Sequence, residues 1–147
     1  MIGKSVFECP KDDPHKAHKD IAVEFLNSIS EGRPKDGLAF FDPDCKTHNP
    51  YTGGGINELI DAMIAVQKQG SEGVMKGSKA DFKLTIRQVL ADGDMVAVHT
   101  QLEGSNPKDG GLRQMHIFRF IGEKIVEYWD ITQFIPEGAP NAAGAFS

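Results

Sequence analysis

From Gln114 to Pro136 the chain reads QMHIFRFIGEKIVEYWDITQFIP, two runs rich in Ile, Val, Phe, Tyr and Trp broken only at Gly122-Glu123-Lys124. β-Branched and aromatic runs around a glycine-bearing turn predict an antiparallel hairpin. With the turn centred on Glu123, His116 lies opposite Asp130, and opposed residues in such a ladder have Cβ atoms about 4.5–5.5 Å apart. A loop one residue shorter would send the two groups to opposite faces, so parity decides whether they meet. Along the second strand Val126, Tyr128, Asp130, Thr132 and Phe134 share one face, and Ile125, Glu127, Trp129, Ile131 and Gln133 share the other. Both faces carry large apolar groups, so both are expected to be covered, one by helices or a cavity and the other by a partner surface. An aspartate among Tyr, Phe and Val is costly to bury as an anion without partners. Two explanations stay open: a structural carboxylate bound to backbone or to Arg87, Arg119 or Lys124, or a catalytic acid and base.

Working outward, the chain of 147 residues has the length of one domain, with a core over about 15–136 between an N-terminal arm and a Gly-, Ala- and Pro-rich tail. A net charge of −5, from 21 acidic and 16 basic residues, and the scatter of the cations argue against a nucleic-acid partner. Cys9 and Cys45 fit no metal-binding spacing, although a single disulfide between them stays open. The first twenty residues have no signal-peptide pattern, and no apolar run is long enough to span a bilayer. A cytoplasmic protein with no membrane association is expected.

Asp13-Pro14 reads as a helix start, with Asp as N-cap and Pro at the first helical position. Ala17, Ile21, Ala22, Phe25, Leu26 and Ile29 then recur at helical spacing up to a C-terminal Gly32. His15 and His18, in the first turn of that helix, are expected at the solvated surface. Asp36–Phe41 suggests one or two helical turns, and Cys45–Pro50 a short extended segment. Gly53-Gly54-Gly55 lacks the Lys and Ser/Thr of a phosphate loop. A third helix is expected over about Asn57–Gln69, and 70–80 is read as a loop. Strands are expected over Phe82–Leu90, Met95–Leu102 and the two arms of the hairpin, with a turn at Asp92-Gly93 and a polar loop from Gly104 to Gly111. Three N-terminal helices followed by four long antiparallel strands predict an α+β domain with helices on one face of a curved sheet.

Further polar groups stand in apolar settings: His48 with Asn49, His99 within MVAVHTQL, and Gln133. Each lone strand histidine is also explained by a hydrogen-bonded core or interface position. A three-histidine metal site finds no HxH or HxxxH spacing, so neither metal nor cofactor is expected. No GxSxG elbow is present, and Cys45 and His48 turn to opposite sides of an extended segment.

The elements His48-Asn49-Pro50, Ala91-Asp92-Gly93-Asp94 leading to Val98-His99, and HIFRF-IGEK-IVEYWDITQ together resemble the SnoaL-like branch of the nuclear transport factor 2-like superfamily, in particular its polyketide cyclases and predicted aldol-condensation proteins, over roughly residues 15–136. The resemblance implies a cone-shaped α+β barrel, dimeric through the outer face of the sheet. It implies Asp130 as acid and base with His116 beside it, and His48, Asn49, Tyr51, His99 and Tyr128 as substrate-binding candidates. The chemistry implied is cofactor-independent proton transfer next to a carbonyl, as in an aldol-type cyclase or isomerase, with His116 or His48 donating to the oxyanion. The alternative is a non-catalytic dimeric domain that binds an apolar small ligand.

Overall fold

The computed structural model describes residues 7–69, 83–103 and 111–146. Helix α1 spans Lys16–Ser30, a 3-10 helix Pro34–Phe40, strand β1 Phe41–Thr47 and helix α2 Ile56–Gln69. Strands β2 (Lys83–Asp92), β3 (Met95–Glu103), β4 (Leu112–Ile121) and β5 (Lys124–Phe134) follow, then a short 3-10 turn at Ala143–Phe146. The strands form one curved, unclosed sheet in the order β1-β5-β4-β3-β2. The α+β class and the three helices ahead of the long strands agree with expectation. Residues 1–6 of the expected N-terminal arm and the segments 70–82 and 104–110, which hold the loops expected there, lie outside the described residues.

α1 begins two residues later than the Asp13-Pro14 signal suggests. The Asp13 carboxylate accepts the His15 N–H at 2.8 Å and so closes a turn ahead of the helix. At the other end Gly32 adopts φ 76°, with Gly32 N–H bonded to Ile29 O at 3.0 Å and Arg33 N–H to Ser28 O at 2.7 Å. That pair of bonds is a Schellman cap, and only glycine adopts its left-handed conformation without cost. Ala22, Phe25 and Leu26 on the apolar stripe are buried against the sheet. Phe25 meets the rings of Phe41, Phe118 and Tyr128 edge-on at centroid separations of 4.8, 5.9 and 6.0 Å, which ties the helix to the sheet through aromatic packing. His18 is not a free surface residue: its ring stacks on Phe120 at 4.2 Å, and Nε2 lies 2.7 Å from Gly122 O.

The sheet departs from expectation at its edge. β1 pairs parallel to β5, with Phe41 beside Ile125 and Thr47 beside Tyr128, so the sheet has five strands rather than four. The register of this pair is irregular between Phe41 and Lys46, the stretch that contains Pro43, which has no N–H to give to a ladder.

The hairpin reaches the expected register by a different route. Ile121 pairs with Lys124, leaving Gly122 and Glu123 as a two-residue turn with Gly122 at φ 59°. That is the shorter loop, and alone it would set His116 and Asp130 on opposite faces. Val126 is an extra residue on β5, because Phe120 pairs with Ile125 while Arg119 pairs with Glu127. The bulge restores parity, and His116 stands opposite Asp130. It also moves Ile125 into the core, fully buried, instead of onto the face of Glu127 and Trp129. The β2–β3 hairpin uses the same device: Gly93-Asp94 form its turn, and the register shifts by one at Arg87.

Candidate functional site

Strand pairing sorts the inner face of β3, β4 and β5 into rows. Val96, Phe118 and Tyr128 form an aromatic floor under α1; beyond it lie Val98, His116 and Asp130, then Thr100, Gln114 and Thr132, then Leu102, Leu112 and Phe134. Two polar rows are thus held between two apolar ones, and successive rows are about 6.6–6.8 Å apart along the strands.

Asp130 is half-buried. Its Oδ2 accepts a hydrogen bond from Asn49 Nδ2 at 2.8 Å, and Oδ1 is buried with no partner among the described residues. Asn49 is delivered by the end of β1, where His48 N–H bonds to Tyr128 O at 3.0 Å and extends the parallel ladder by one rung. Asn49 Oδ1 accepts the Tyr51 N–H at 2.8 Å, so the amide is pinned with its NH₂ towards the carboxylate. The cations offered by a structural explanation of Asp130 are engaged elsewhere. Arg87 holds Gln101, Arg119 holds Glu127, and Lys124 holds Ala39 O. Desolvation raises the Asp130 pKa above the usual carboxylate value, against the opposing effect of the Asn49 N–H and its own backbone N–H.

His116 is buried and makes no direct bond to Asp130. Its Nδ1 lies 2.7 Å from the Tyr128 hydroxyl and its Nε2 3.2 Å from Thr100 Oγ1. Burial depresses its pKa to about 4, so the ring is neutral near neutral pH and places no cation beside the carboxyl group. Burial likewise pushes the Tyr128 phenol well above its ordinary range, with the Asp130 charge adding to the shift.

Three expected substrate-binding residues stand apart from Asp130. His48 stacks on Trp129 at 4.9 Å and bonds through Nε2 to Glu127 Oε1 at 3.0 Å, on the outer face, because Glu127 and Trp129 have the opposite parity to Asp130. His99 also looks outward, between Gln88 and Met115, for the same reason of parity with Val98 and Thr100. Tyr51 is 93 % exposed. Gln133, across from Arg113, faces outward. Asn49 and Tyr128 remain with the Asp130–His116 row. Thr100 and Gln114, which bond to each other or to His116 on the inner face, were not expected at the site. Parity alone places both on the histidine's face, but their partners depend on the β3–β4 register.

Cys9 and Cys45 are both free thiols, and Cys45 is pushed up to about 12 by burial first and by the nearby Asp42 and Glu127 charges. No group of three or more potential metal ligands occurs among the described residues. Among those residues, too, no helix is long and apolar enough to cross a membrane.

The family model for the SnoaL-like domain matches residues 22–128. No curated protein matches the chain. Among solved structures the fold is similar to that of AclR, a proposed hydroxylase from Streptomyces galilaeus, at a TM-score of 0.62 and 14% identity, covering 80% of this chain and 90% of that one. A proposed ketosteroid isomerase from Kribbella flavida gives 0.61 and 16%, covering 86% and 84%. A proposed polyketide cyclase from Sinorhizobium meliloti gives 0.56 and 15%, covering 76% and 94%. At these identities the likeness is one of fold.

Proposed function

The chain belongs to the SnoaL-like domain family, and we propose that it is a small-molecule enzyme in which Asp130 moves a proton at a carbon next to a carbonyl group, as an aldol-type cyclase or isomerase does. The observation that carries this reading is the state of the Asp130 carboxyl group: one oxygen pinned by Asn49, the other buried and unpartnered among the described residues, in surroundings that raise its pKa. A carboxylate with raised pKa is a stronger base, and desolvation brings it nearer the operating pH. Asp130 takes the proton from the carbon, the electron pair moves into the carbonyl as an enolate, and the same group returns the proton at the product stage. Asn49 fixes the carboxylate orientation. His116, neutral and bonded at both nitrogens, is not an acid in this scheme, and His48 lies on the wrong face to serve as one.

The test is exchange of α-hydrogen for deuterium in D₂O, over a panel of simple aryl and cyclic ketones. Wild type exchanges at least one of them, and Asp130→Asn lowers the rate by about 10²–10⁴-fold. Equal rates in the two proteins remove Asp130 from the chemistry and leave the non-catalytic ligand-binding alternative.

A second reading concerns assembly. Leu90, Ala97, Ile117 and Trp129 form a row across the outer face, followed by Gln88, His99, Met115 and Ile131. Leu90 and Ile131 are 61% and 63% exposed, and His99 Nε2 is buried without a partner among the described residues. A largely apolar face flanked by Arg119–Glu127 and Arg113 suits a second copy of this chain. Sedimentation should give a dimer that Ile131→Asp converts to monomer, and a monomeric wild type at tens of micromolar would remove this reading.

A further inference from the structure

The polar groups of the inner face form one connected chain. Tyr128 Oη is 2.7 Å from His116 Nδ1, His116 Nε2 is 3.2 Å from Thr100 Oγ1, Thr100 Oγ1 is 3.4 Å from Gln114 Oε1, and Gln114 Nε2 is 3.4 Å from Thr132 Oγ1. It runs from a fully buried phenol to an exposed hydroxyl on the strand that carries Asp130.

Proton counting gives this chain a direction. A neutral imidazole has one N–H. If Tyr128 donates to Nδ1, then Nε2–H donates to Thr100, the Thr100 hydroxyl hydrogen is left for Gln114 Oε1, and the Gln114 amide donates to Thr132. Every hydroxyl and imidazole donor up to Gln114 is then used, and what remains is the second N–H of the half-buried Gln114 amide and the hydrogen of the Thr132 hydroxyl. In the reverse order Nδ1–H donates to Tyr128, and the phenol hydrogen is stranded in the aromatic core. Thr100 then has one hydrogen for two acceptors, His116 Nε2 and Gln114 Oε1. An unsatisfied buried donor costs about 1–3 kcal/mol, so the outward order prevails.

We infer that Thr132 is a substrate-binding residue, the terminal donor of a one-way hydrogen-bond chain from Tyr128, which takes up the carbonyl oxygen of a ligand whose adjacent carbon faces Asp130. The inference rests on the proposed role of the Asp130 row and supplies what that role lacks, a donor for the developing oxyanion. Thr132 stands two residues beyond Asp130 on the same face of β5, so one group meets the oxygen while the other meets the carbon. Bonds of 3.4 Å are long, which leaves Gln114 and Thr132 free to tighten on a charged acceptor. The ligand class is a ketone flanked by apolar groups, because the next row outward is Leu102, Leu112 and Phe134.

Two measurements on the full chain test this without turnover, so they stand or fall separately from proton abstraction by Asp130. Long-range ¹H–¹⁵N spectra of His116 should show the Nε2–H tautomer; the Nδ1–H tautomer overturns the direction of the chain. Binding of acetophenone is then compared with that of ethylbenzene, which has a similar shape and no acceptor. Wild type should prefer acetophenone by roughly three- to tenfold, the equivalent of one net hydrogen bond. Thr132→Val should abolish the preference and Thr132→Ser retain it, with folding of each variant checked by its melting curve. A preference that survives Thr132→Val, or no binding of acetophenone by wild type, overturns the assignment.

Discussion

His116 and His99 sit on neighbouring strands of one sheet and look in opposite directions. Both are buried and both have a depressed pKa, yet they differ in how they are satisfied. His116, on the inner face, has a partner at each nitrogen; His99, on the outer face, has a buried Nε2 with none among the described residues. On the inner face it is the Asp130 carboxyl group, with Oδ1 buried and unpartnered among the described residues, that is left open, while the histidine beside it is satisfied. On the outer face it is the histidine itself that is left open, beside exposed Leu90 and Ile131, the features from which the dimer is proposed. Residues of similar type thus do different work according to parity alone.

The sharpest way to break this comparison is to truncate one side chain on each face. Phe118→Ala, in the floor under Phe25, should lower the stability of the folded chain by about 3–5 kcal/mol in denaturant titrations. Ile131→Ala, on the outer face, should change the stability of the monomer by no more than about 0.5 kcal/mol. A comparable loss at both positions would show that the outer face is also a core.

Acid should act mainly through the inner histidine. His116 has a folded-state pKa of about 4 against an ordinary 6.5, so its contribution is complete above pH 6.5 and is lost as pH falls towards 4. At about 1.4 kcal/mol per pKa unit this amounts to ~3 kcal/mol. His99, also lowered, acts in the same sense, whereas Asp130, with a raised pKa, recovers part of the loss as it protonates. Melting temperature should fall between pH 7 and 4.5, and His116→Gln should flatten the profile; an unchanged profile in that variant would contradict a buried neutral His116.

Smaller effects refine the site. Asn49→Ala removes the donor that opposes desolvation, so the Asp130 pKa should rise further, at a cost of about 1 kcal/mol in stability. Both are read from a carboxyl titration and a melting curve of the same variant. His48→Ala should have the smallest effect, because its bond to Glu127 is exposed and screened. Exchange at a ketone α-carbon should be unchanged in it, and a large loss would move His48 back into the site.

The facing of His116 and Asp130 was legible in sequence, though by compensation. The turn is one residue shorter than its sequence suggests, and the extra residue at Val126 has no signature in a run as uniformly β-forming as KIVEYW. The Schellman end of α1 was legible because glycine there has a conformational cause. Of β1 only Cys45–Thr47 was legible, within the extended segment expected over Cys45–Pro50; Phe41–Asp44 was not, since it contains two aspartates and a proline and the strand pairs in parallel with one distant in sequence. His48 and His99 drew attention by type, but only pairing shows which way they look. Thr100 and Gln114 escaped because eight residues, 104–111, separate β3 from β4 in the sequence, so no two-residue turn signal fixes their register.

The most direct measurement is a ¹³C titration of the Asp130 carboxyl carbon in the ligand-free protein. A midpoint above the ordinary 3.8, moving further up in Asn49→Ala, is the result expected of a desolvated base held by a single amide. A midpoint at or below 3.8 would mean that the carboxylate is stabilised as a structural anion, and acid–base chemistry at this row would lose its support.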